Sequence, residues 1–258
     1  MQTKEGALRG YEWNGTCIFK GIPYAHAQRF RKPERIKPWD GVKEVQSYGY
    51  VSPLLHPEQP GGNGEMMVPH MYWPEKEDCQ NLNIWTPSIR DGRKRPVMVW
   101  LHGGGFSTGS ANEEGYDGQA LSSSGDVVIV SVNHRLNVFG YFDLSAYGDK
   151  YKYSANVGLM DIVDSLKWIQ DNIEAFGGDP ENVTLFGQSG GGAKSPGDDD
   201  ISVCERFIPE GNRPERRDRD HGSKIQHPGV QHGSCGEHLK ESKYHTGQYR
   251  GYPVRVRG

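Results

Sequence analysis

The sequence predicts an α/β protein with a mainly parallel sheet, and three patterns support this fold class. The runs at 96–101 and 127–132 are short, apolar and rich in β-branched residues, which is typical of strands buried on both faces. Between Asn156 and Phe176 the apolar residues recur every three or four positions, as on one face of a helix. Residues 183–186 form another apolar run, so strand, helix and strand alternate along the chain. This alternation favours parallel strands joined by right-handed crossovers.

Turn-forming residues separate these predicted elements. Gly177 and Gly178 follow the helical pattern, and glycine readily adopts the left-handed conformation that ends a helix. Asp179 and Pro180 are typical turn residues, so we expect the chain to turn before the strand at 183–186. That strand is expected to end at the start of a glycine-rich segment.

Length and composition bound the class of function. The chain has 258 residues and a net charge of -3, so it can bury a sizeable core but gives no electrostatic reason to expect nucleic acid or an anionic membrane as a partner. The N-terminus lacks the apolar run of a secretory signal, and no window resembles a transmembrane helix. A cytoplasmic protein is therefore expected. The four cysteines have no paired spacing, which favours free thiols over a disulfide framework or a metal site.

The chain changes composition after residue 194. Residues 195–258 contain no Ala, Met or Trp, and Leu, Ile, Val and Phe together number nine. So few large apolar side chains do not offset the backbone entropy of about 1 to 2 kcal/mol per residue that is lost on folding. Residues 1–194 are therefore predicted to form the folded part, and residues 195–258 to be a disordered or out-of-frame tail.

A serine flanked by glycines marks the first candidate functional site. In Gly187-Gln188-Ser189-Gly190-Gly191 the serine follows a predicted buried strand. Glycine two residues before and two after removes the Cβ atoms that would clash in a sharp turn, so the hydroxyl is expected to be exposed at the carboxyl end of the sheet. Ser189 is the candidate nucleophile. Taken alone, the motif also fits a plain glycine turn.

A second glycine motif, His102-Gly103-Gly104-Gly105-Phe106, directly follows the predicted strand at 96–101. Backbone N–H groups of residues without side chains can approach a substrate oxygen. Gly104 and Gly105 are therefore candidate donors of an oxyanion hole, with the N–H of Gly190 as a third. Taken alone, this motif also fits a flexible loop. Both motifs together, each after a buried strand, predict acyl-transfer chemistry.

With these motifs the chain resembles the type-B carboxylesterases, the cholinesterase-like family of the α/β-hydrolase fold. The resemblance covers about residues 3–194 and includes four further segments: Phe19-Lys-Gly-Ile-Pro-Tyr-Ala25, Glu77-Asp-Cys-Gln-Asn-Leu-Asn-Ile-Trp85, Asn133-His-Arg-Leu136 and Phe176-Gly-Gly-Asp-Pro180. It implies hydrolysis of small-molecule carboxylic esters through an acyl-enzyme, with Ser189 as the nucleophile and Gly104, Gly105 and Gly190 as the oxyanion hole. It implies no cofactor.

Two positions depart from the pattern of the resembled family. Gln188 stands where family members commonly have Glu, which is expected to change local hydrogen bonding without removing the chemistry. Cys79 matches a cysteine that is often disulfide-bonded to an upstream one, but the corresponding stretch here carries Ser52 and no thiol. The absence of that disulfide agrees with a reducing compartment.

The sequence does not assign the triad acid and histidine. In α/β-hydrolases they follow the serine in the order acid, then histidine, and in the resembled family they lie much farther along the chain than the end of this sequence. The resemblance therefore implies an α/β-hydrolase domain that is truncated after the nucleophile elbow and inactive as it stands. The tail cluster around Cys235 is too small to predict a zinc site. The five tail histidines are interpreted as solvated residues: His221, His227, His232, His238 and His245.

Four other polar residues near the motifs have structural interpretations. His102 leads the glycine motif and is expected to be architectural, and His134 is expected to pack or to cap an element. Asp161 and Asp164 fall on the polar side of the predicted helix, which favours surface or structural roles over that of the triad acid.

Two alternative functions remain open at this point. The same fold serves in adhesion proteins that have lost catalytic residues, so a non-catalytic binding protein is the first alternative. The retention of Ser189 and of Gly103–Gly105 favours the enzyme lineage. The second alternative is an interaction protein that acts through its basic tail.

Overall fold

A computed structural model describes residues 1–54 and 73–194, and its centre is a six-stranded sheet. Two further sheets have two strands each. In chain order the ten strands are β1 (Ala7–Arg9), β2 (Tyr11–Trp13), β3 (Thr16–Pro23), β4 (Ala25–His26), β5 (Glu34–Arg35), β6 (Val42–Glu44), β7 (Asn81–Thr86), β8 (Arg95–Leu101), β9 (Val128–Val132) and β10 (Gly178–Gly187). The central sheet has the order β10-β8-β9-β7-β3-β2, and the small sheets pair β1 with β6 and β4 with β5.

The central sheet is mixed. Strand β8 pairs in parallel with β9 and β10, whereas the pairs β9–β7, β7–β3 and β3–β2 are antiparallel. The prediction of a mainly parallel sheet is therefore wrong for its N-terminal half. A physical reason lies between β2 and β3, where Asn14 and Gly15 have φ values of 46° and 73°. Two consecutive left-handed residues make the tight hairpin turn that joins antiparallel strands.

Within the described residues, four α-helices accompany the sheet: α1 (Gln119–Gly125), α2 (Asn137–Tyr141), α3 (Val157–Asn172) and α4 (Gly190–Lys194). The same residues form short 3-10 segments at Glu114–Tyr116, Ser145–Tyr147, Asp149–Tyr151, Ser154–Asn156 and Ile173–Phe176. The long helix predicted between residues 156 and 176 is confirmed, with its last turn tightened to 3-10 geometry. Gly177 ends it with φ of 76°, as the sequence predicts.

The apolar core lies between α3 and the central sheet. Ile162 and Ile169 of α3 belong to the same buried cluster as Val97 of β8 and Val130 of β9. These side chains are the ones whose spacing predicts the helix and the two strands. Burial of such aliphatic side chains contributes about 1.5 to 3 kcal/mol each. The predicted strands at 96–101 and 127–132 are therefore confirmed, with ends that shift by one residue.

Strand β10 differs from its prediction. It begins at Gly178 rather than after a separate turn, and its pairing with β8 shifts register between Gly178 and Val183. Thr184 is exposed and Val183, Leu185 and Phe186 are only partly buried, so the expectation of burial on both faces is wrong here. The reason is that β10 has β8 as its single neighbour within the described part of the chain.

A buried ion pair ties α3 to the segment after β9. The side chain of Asp161 is fully buried and that of Arg135 is 2 % exposed. Arg135 donates from Nε and Nη2 to the two carboxylate oxygens of Asp161, at 2.8 and 2.7 Å. The expectation that Asp161 lies on a polar helix face is therefore wrong, because the buried guanidinium requires a carboxylate partner. Asp164 pairs with Lys167 at 2.6 Å, which is a structural role.

Residues 1–54 and 73–194 contain neither a membrane-spanning helix nor a cluster of metal ligands. Every helix in these ranges is too short or too polar to cross a bilayer. The same ranges contain no group of three or more His, Cys, Asp or Glu side chains placed to hold a metal ion. The tail residues His232, Cys235 and His238 lie outside the described residues.

Candidate active site

Ser189 occupies the turn between β10 and α4. Its φ is 56°, in the left-handed region that residues with a side chain rarely adopt. The turn is closed by hydrogen bonds from Gly191 N to Gln188 O (2.9 Å) and from Ala193 N to Ser189 O (3.1 Å). Ser189 is exposed, whereas Gly190 directly after it is buried. We call residues 187–191 the serine turn. Its backbone strain holds the hydroxyl-bearing residue out at the carboxyl end of β10.

The second predicted motif forms a loop after β8, and we call residues 102–109 the glycine loop. Gly104 has φ of 93° and Gly105 has φ of 59°. The carbonyl oxygen of Gly104 accepts hydrogen bonds from the amides of Ser107 and Thr108, both at 3.0 Å. A Cβ atom on Gly104 would lie 2.1 Å from the carbonyl oxygen of Thr108, so this fold of the loop requires glycine there.

The serine turn and the glycine loop are in contact. A Cβ atom built on Gly190 would lie 3.0 Å from Gly105 N and 3.2 Å from Gly105 Cα. A Cβ atom on Gly191 would lie only 1.9 Å from the carbonyl oxygen of Leu101, the last residue of β8. Glycines in the serine turn therefore let its backbone approach the end of β8 and the loop that follows. The fold thus brings together all four residues predicted from the sequence, Ser189, Gly104, Gly105 and Gly190.

The backbone donors of this region are available for a ligand. Within residues 1–54 and 73–194, the N–H groups of Gly104 and Gly105 make no hydrogen bond. Both residues are exposed. Gly190 is the first residue of α4, a position whose N–H has no partner inside a helix. Three N–H groups on two adjoining segments are the kind of donor set that can stabilise an oxyanion next to a serine hydroxyl.

A residue that the sequence did not single out holds the glycine loop. Asn137 opens α2 with φ of 46°, and its amide N–H donates to the carbonyl oxygen of Phe106 at 2.8 Å. Its side-chain Nδ2 donates to the carbonyl oxygens of Pro53 (2.7 Å) and Ser107 (3.3 Å). Asn137 thereby joins three segments around the loop. The only sequence signal for this role is that asparagine tolerates the left-handed conformation, which is common to many turns.

The histidines near the site are buried and uncharged. His102 is 1 % exposed and its Nδ1 lies 2.8 Å from the carbonyl oxygen of Gly103, which fits the predicted architectural role. Burial lowers the pKa of His102 to about 3, and the nearby Lys194 adds to the shift. His134 packs against the His102 ring at 4.8 Å, edge to face, as expected for a packed residue. Burial also lowers the pKa of His134 well below its usual value.

The third described histidine lies elsewhere. His26 is exposed on β4, and its Nδ1 is 2.8 Å from Oδ1 of Asp78. No hydrogen bond joins Ser189 to any of the three histidines that the structure describes. His56, His70 and the five tail histidines lie outside the described residues. The described part of the chain therefore holds a candidate nucleophile and candidate oxyanion donors, without a histidine placed beside them.

The two departures noted in the sequence are both visible in the site region. Gln188 is exposed, and its side-chain oxygen lies over Gly103, where a Cβ atom would approach it to 2.4 Å. Cys79 is a buried free thiol, and burial raises its pKa above the usual range. Ser52 is also buried and accepts a hydrogen bond from the amide of Leu136 at 3.0 Å. Ser52 thus has a structural role at the start of the segment that leads to Asn137.

A cleft of about 650 Å³ opens at another place on the molecule. Residues 7–12, Cys17 and residues 87–90 are among those that line it, and none of its lining residues belongs to the serine turn or the glycine loop. The size of this cleft does not make it an active site, because its lining residues do not form a converging set of catalytic groups. The serine turn is the better candidate site because it joins an exposed hydroxyl to free backbone donors.

The fold and the site together define the class of protein. Solved structures with this fold include an esterase from anaerobic Clostridium hathewayi that can hydrolyze aliphatic aromatic polyesters, with 60% sequence identity and a TM-score of 0.71. A carboxylesterase of Geobacillus stearothermophilus has 43% identity and a TM-score of 0.66. The two alignments cover 75% of this chain and 38% and 39%, respectively, of those chains. The described part of this chain therefore has the α/β-hydrolase fold.

Sequence comparison identifies the family. A sequence model of the carboxylesterase family matches residues 1–195, and the chain therefore belongs to this family. The phenmedipham hydrolase of Pseudarthrobacter oxydans is 42% identical over 193 residues, which are 73% of this chain and 37% of the relative. The para-nitrobenzyl esterase of Bacillus subtilis (strain 168) is 40% identical over 197 residues, 74% of this chain and 38% of the relative. The chain thus spans less than two fifths of the length of these relatives.

Proposed function

We propose that this chain carries the nucleophile and the oxyanion-binding part of a serine carboxylesterase that acts on small carboxylic esters. In the proposed reaction, Ser189 Oγ attacks the ester carbonyl carbon and transfers its proton, through a base, to the departing alcohol. Water then hydrolyses the acyl-serine and returns the proton to the serine. The N–H groups of Gly104, Gly105 and Gly190 stabilise the negative oxygen of each tetrahedral intermediate.

The contact between the serine turn and the glycine loop is the observation that carries this proposal. Gly190, next to Ser189, packs on Gly105, so the hydroxyl and the free N–H donors lie on adjoining backbone. Ser189 is exposed in a left-handed conformation at the end of a strand, which is the conformation expected of a serine presented to a substrate. A plain glycine turn would not require the second motif beside it.

The relatives support esters as the substrate class. They are a para-nitrobenzyl esterase, a phenmedipham hydrolase and an esterase that hydrolyses polyesters. Two of them are named as esterases, and a serine with an oxyanion hole is suited to ester cleavage. The proposed reaction uses no cofactor, because the serine, the donors and water provide the chemistry.

The base and the triad acid are proposed to come from outside the described residues. His102 and His134 are buried and kept neutral, and His26 faces Asp78. None of them is hydrogen-bonded to the serine. A general base has to lie within hydrogen-bond reach of the proton that it removes. Residues 195–258 do not follow the sequence pattern of the family, so we do not expect them to supply the base and the acid. We therefore expect the chain alone to be nearly inactive.

The experiment compares the full chain with its Ser189→Ala variant on p-nitrophenyl butyrate. We expect equal rates, because loss of the base in subtilisin costs on the order of a million-fold in turnover. A fluorophosphonate probe should likewise label Ser189 slowly, since the neighbouring base gives a serine its reactivity. Rapid turnover or labelling that depends on Ser189 would contradict the missing base, and would show that another group of this chain supplies it.

A further inference from the structure

Lys194 is a buried cation that the proposed ester hydrolysis does not use. It is the last residue of α4, five positions after Ser189, and it is 1 % exposed. Lysine is almost never fully buried unless it has a charged partner. No carboxylate contacts Lys194 within residues 1–54 and 73–194. A buried ammonium without a counter-charge destabilises the fold, so its position calls for an explanation.

The contacts of Lys194 lie on both sides of the three loop glycines. Its Nζ donates to the carbonyl oxygen of His102 at 3.5 Å. The same Nζ lies 4.8 Å from the centroid of the Phe106 ring, on its face. His102 directly precedes Gly103–Gly105 and Phe106 directly follows them. One ammonium group therefore touches the residue before and the residue after the segment that carries the oxyanion donors.

Among the residues that the structure describes, the titratable groups closest to Lys194 are two histidines. Strands β8 and β10 are the ones that α4 packs against, and at the site end of β8 the titratable group is His102. His134 follows β9. Both histidines remain neutral at ordinary pH because burial lowers the pKa of His102 to about 3 and that of His134 well below its usual value. Burial lowers the pKa of Lys194 itself to about 8, so its charge changes close to neutrality.

We propose that Lys194 is a positioning residue whose ammonium holds the glycine loop in the conformation that presents the N–H groups of Gly104 and Gly105. The hydrogen bond to His102 fixes the entry of the loop, and the contact with the Phe106 ring fixes its exit. Lys194 does not touch the substrate and acts through the loop. This inference rests on the proposed oxyanion function of that loop, but it concerns the order of the loop and not the chemistry of Ser189.

Amide hydrogen exchange in the full chain tests the proposal. The reporters are the amides of Ser107 and Thr108, which donate to Gly104 O, and the amide of Asn137, which donates to Phe106 O. In Lys194→Met the apolar stem remains and the charge is removed. We expect the protection factors of these three amides to fall by about tenfold or more at about pH 7. The amides of β9 should lose no protection, because removal of the buried charge does not weaken the core.

Lys150→Met is the matched control. Lys150 is exposed, and its Nζ lies 4.8 Å from the ring of Tyr151, so this variant also removes an ammonium from an aromatic face. It should leave the three reporter amides unchanged. Wild-type protection of these amides in Lys194→Met would overturn the proposal. A loss that extends equally to β8 and β9 would overturn it as well, because it would show a general role in stability.

The wild-type chain gives an independent test if Lys194→Met does not fold. Protection factors, corrected for the intrinsic effect of pH on exchange, should fall for the three reporter amides between about pH 7 and pH 9 as the ammonium is neutralised. The β9 amides should not lose protection in this interval, because the fold as a whole gains stability as the buried charge is removed. A flat profile for the reporters would overturn the proposal. Failure of the esterase function would leave these profiles unaffected, so the two proposals fail separately.

Discussion

The backbone segments around Ser189 lie so close together that some positions have room only for glycine, which carries no Cβ atom. The carbonyl oxygen of Leu101 occupies the space where Gly191 would carry a Cβ atom, at 1.9 Å. Gly191 and the carbonyl oxygen of Leu101 meet through backbone atoms, which cannot rotate away as a flexible side chain can. A larger residue at position 191 therefore requires the serine turn or the end of β8 to move. The position of Ser189 relative to the glycine loop is thus set by sterics at its neighbours.

The variant Gly191→Ala should therefore lower the free energy of unfolding by about 1 to 3 kcal/mol, the usual effect of inserting a methyl group into a filled space. Urea denaturation of the full chain measures this difference. Gly115→Ala is the control, because Gly115 is exposed and a Cβ atom there meets nothing within 4 Å. Equal midpoints for Gly191→Ala and the wild type would show that the serine turn does not pack on β8 as described.

Lys194 gives the stability of the protein a specific pH dependence. Burial lowers its pKa from 10.5 to about 8 in the folded state. Between these pH values the unfolded chain binds a proton that the folded chain has released, so the free energy of unfolding rises with pH. The rise amounts to about 3 kcal/mol between about pH 8 and pH 10.5. Below about pH 8 the buried ammonium destabilises the fold by the full amount.

The difference in unfolding free energy between Lys194→Met and the wild type isolates this effect from other titrating groups. We expect the variant to be the more stable protein at about pH 7, because it lacks the buried charge. This advantage should decline through about pH 8 to 10.5 as the wild type gains stability. A difference that does not vary with pH would contradict the burial of a charged lysine. The expected pH dependence, together with the expected result of the loop experiment, would show that Lys194 lowers the stability of the fold while it orders the glycine loop.

At the scale of the elements, the Arg135–Asp161 pair fixes α3 to the segment after β9. Both side chains are buried, and Arg135 also donates to the carbonyl oxygens of Gln28 and Arg31, at 3.3 and 2.8 Å. Because α3 covers the sheet and the segment after β9 leads to Asn137, this pair connects the core to the support of the glycine loop. This connection is a buried ion pair, shielded from solvent.

Asp161→Asn should lower the free energy of unfolding by about 3 to 5 kcal/mol, because it leaves the guanidinium of Arg135 buried without a counter-charge. Thermal and urea unfolding measure the effect. Glu174→Gln makes the same chemical change in the exposed pair of Glu174 with Lys94 and should change stability by less than about 1 kcal/mol. If the two variants lose equal stability, the Arg135–Asp161 pair is not buried as described.

Some elements of the fold could be predicted from their own sequence and others could not. Strands β8 and β9 and helix α3 could be predicted because their own apolar side chains form the core. Strand β7 could not, since Asn83 and Thr86 are polar yet fully buried. Asn83 Nδ2 donates to Ser131 Oγ at 3.0 Å and Thr86 Oγ1 donates to the carbonyl oxygen of Phe176 at 2.8 Å. Partners far along the chain make such residues compatible with the core, and local sequence does not display them.

The candidate site divides in the same way. Ser189 and the loop glycines could be predicted because a sharp turn and close backbone approach leave few alternatives to glycine at fixed spacings. Lys194 and Asn137 could not, because an isolated lysine or asparagine in a sequence is most often exposed. Their roles arise from tertiary contacts with His102, Phe106 and Pro53, which lie many residues away.

At the scale of the whole molecule, the chain is a member of the carboxylesterase family that spans less than two fifths of the length of the relatives compared here. Its described residues hold the serine turn against the glycine loop. We expect this half of the site to become active once a base and an acid are supplied. We expect the residues that follow the serine in a related esterase to supply them.

A chimera tests this claim most directly. Residues 1–194 replace the matching segment of the Clostridium hathewayi esterase, which is 60% identical to this chain. The measurement is kcat/KM for p-nitrophenyl butyrate in the chimera and in its Ser189→Ala variant. We predict clear hydrolysis by the chimera and a loss of at least about a thousand-fold in the variant. A folded chimera whose hydrolysis does not depend on Ser189 would contradict the account.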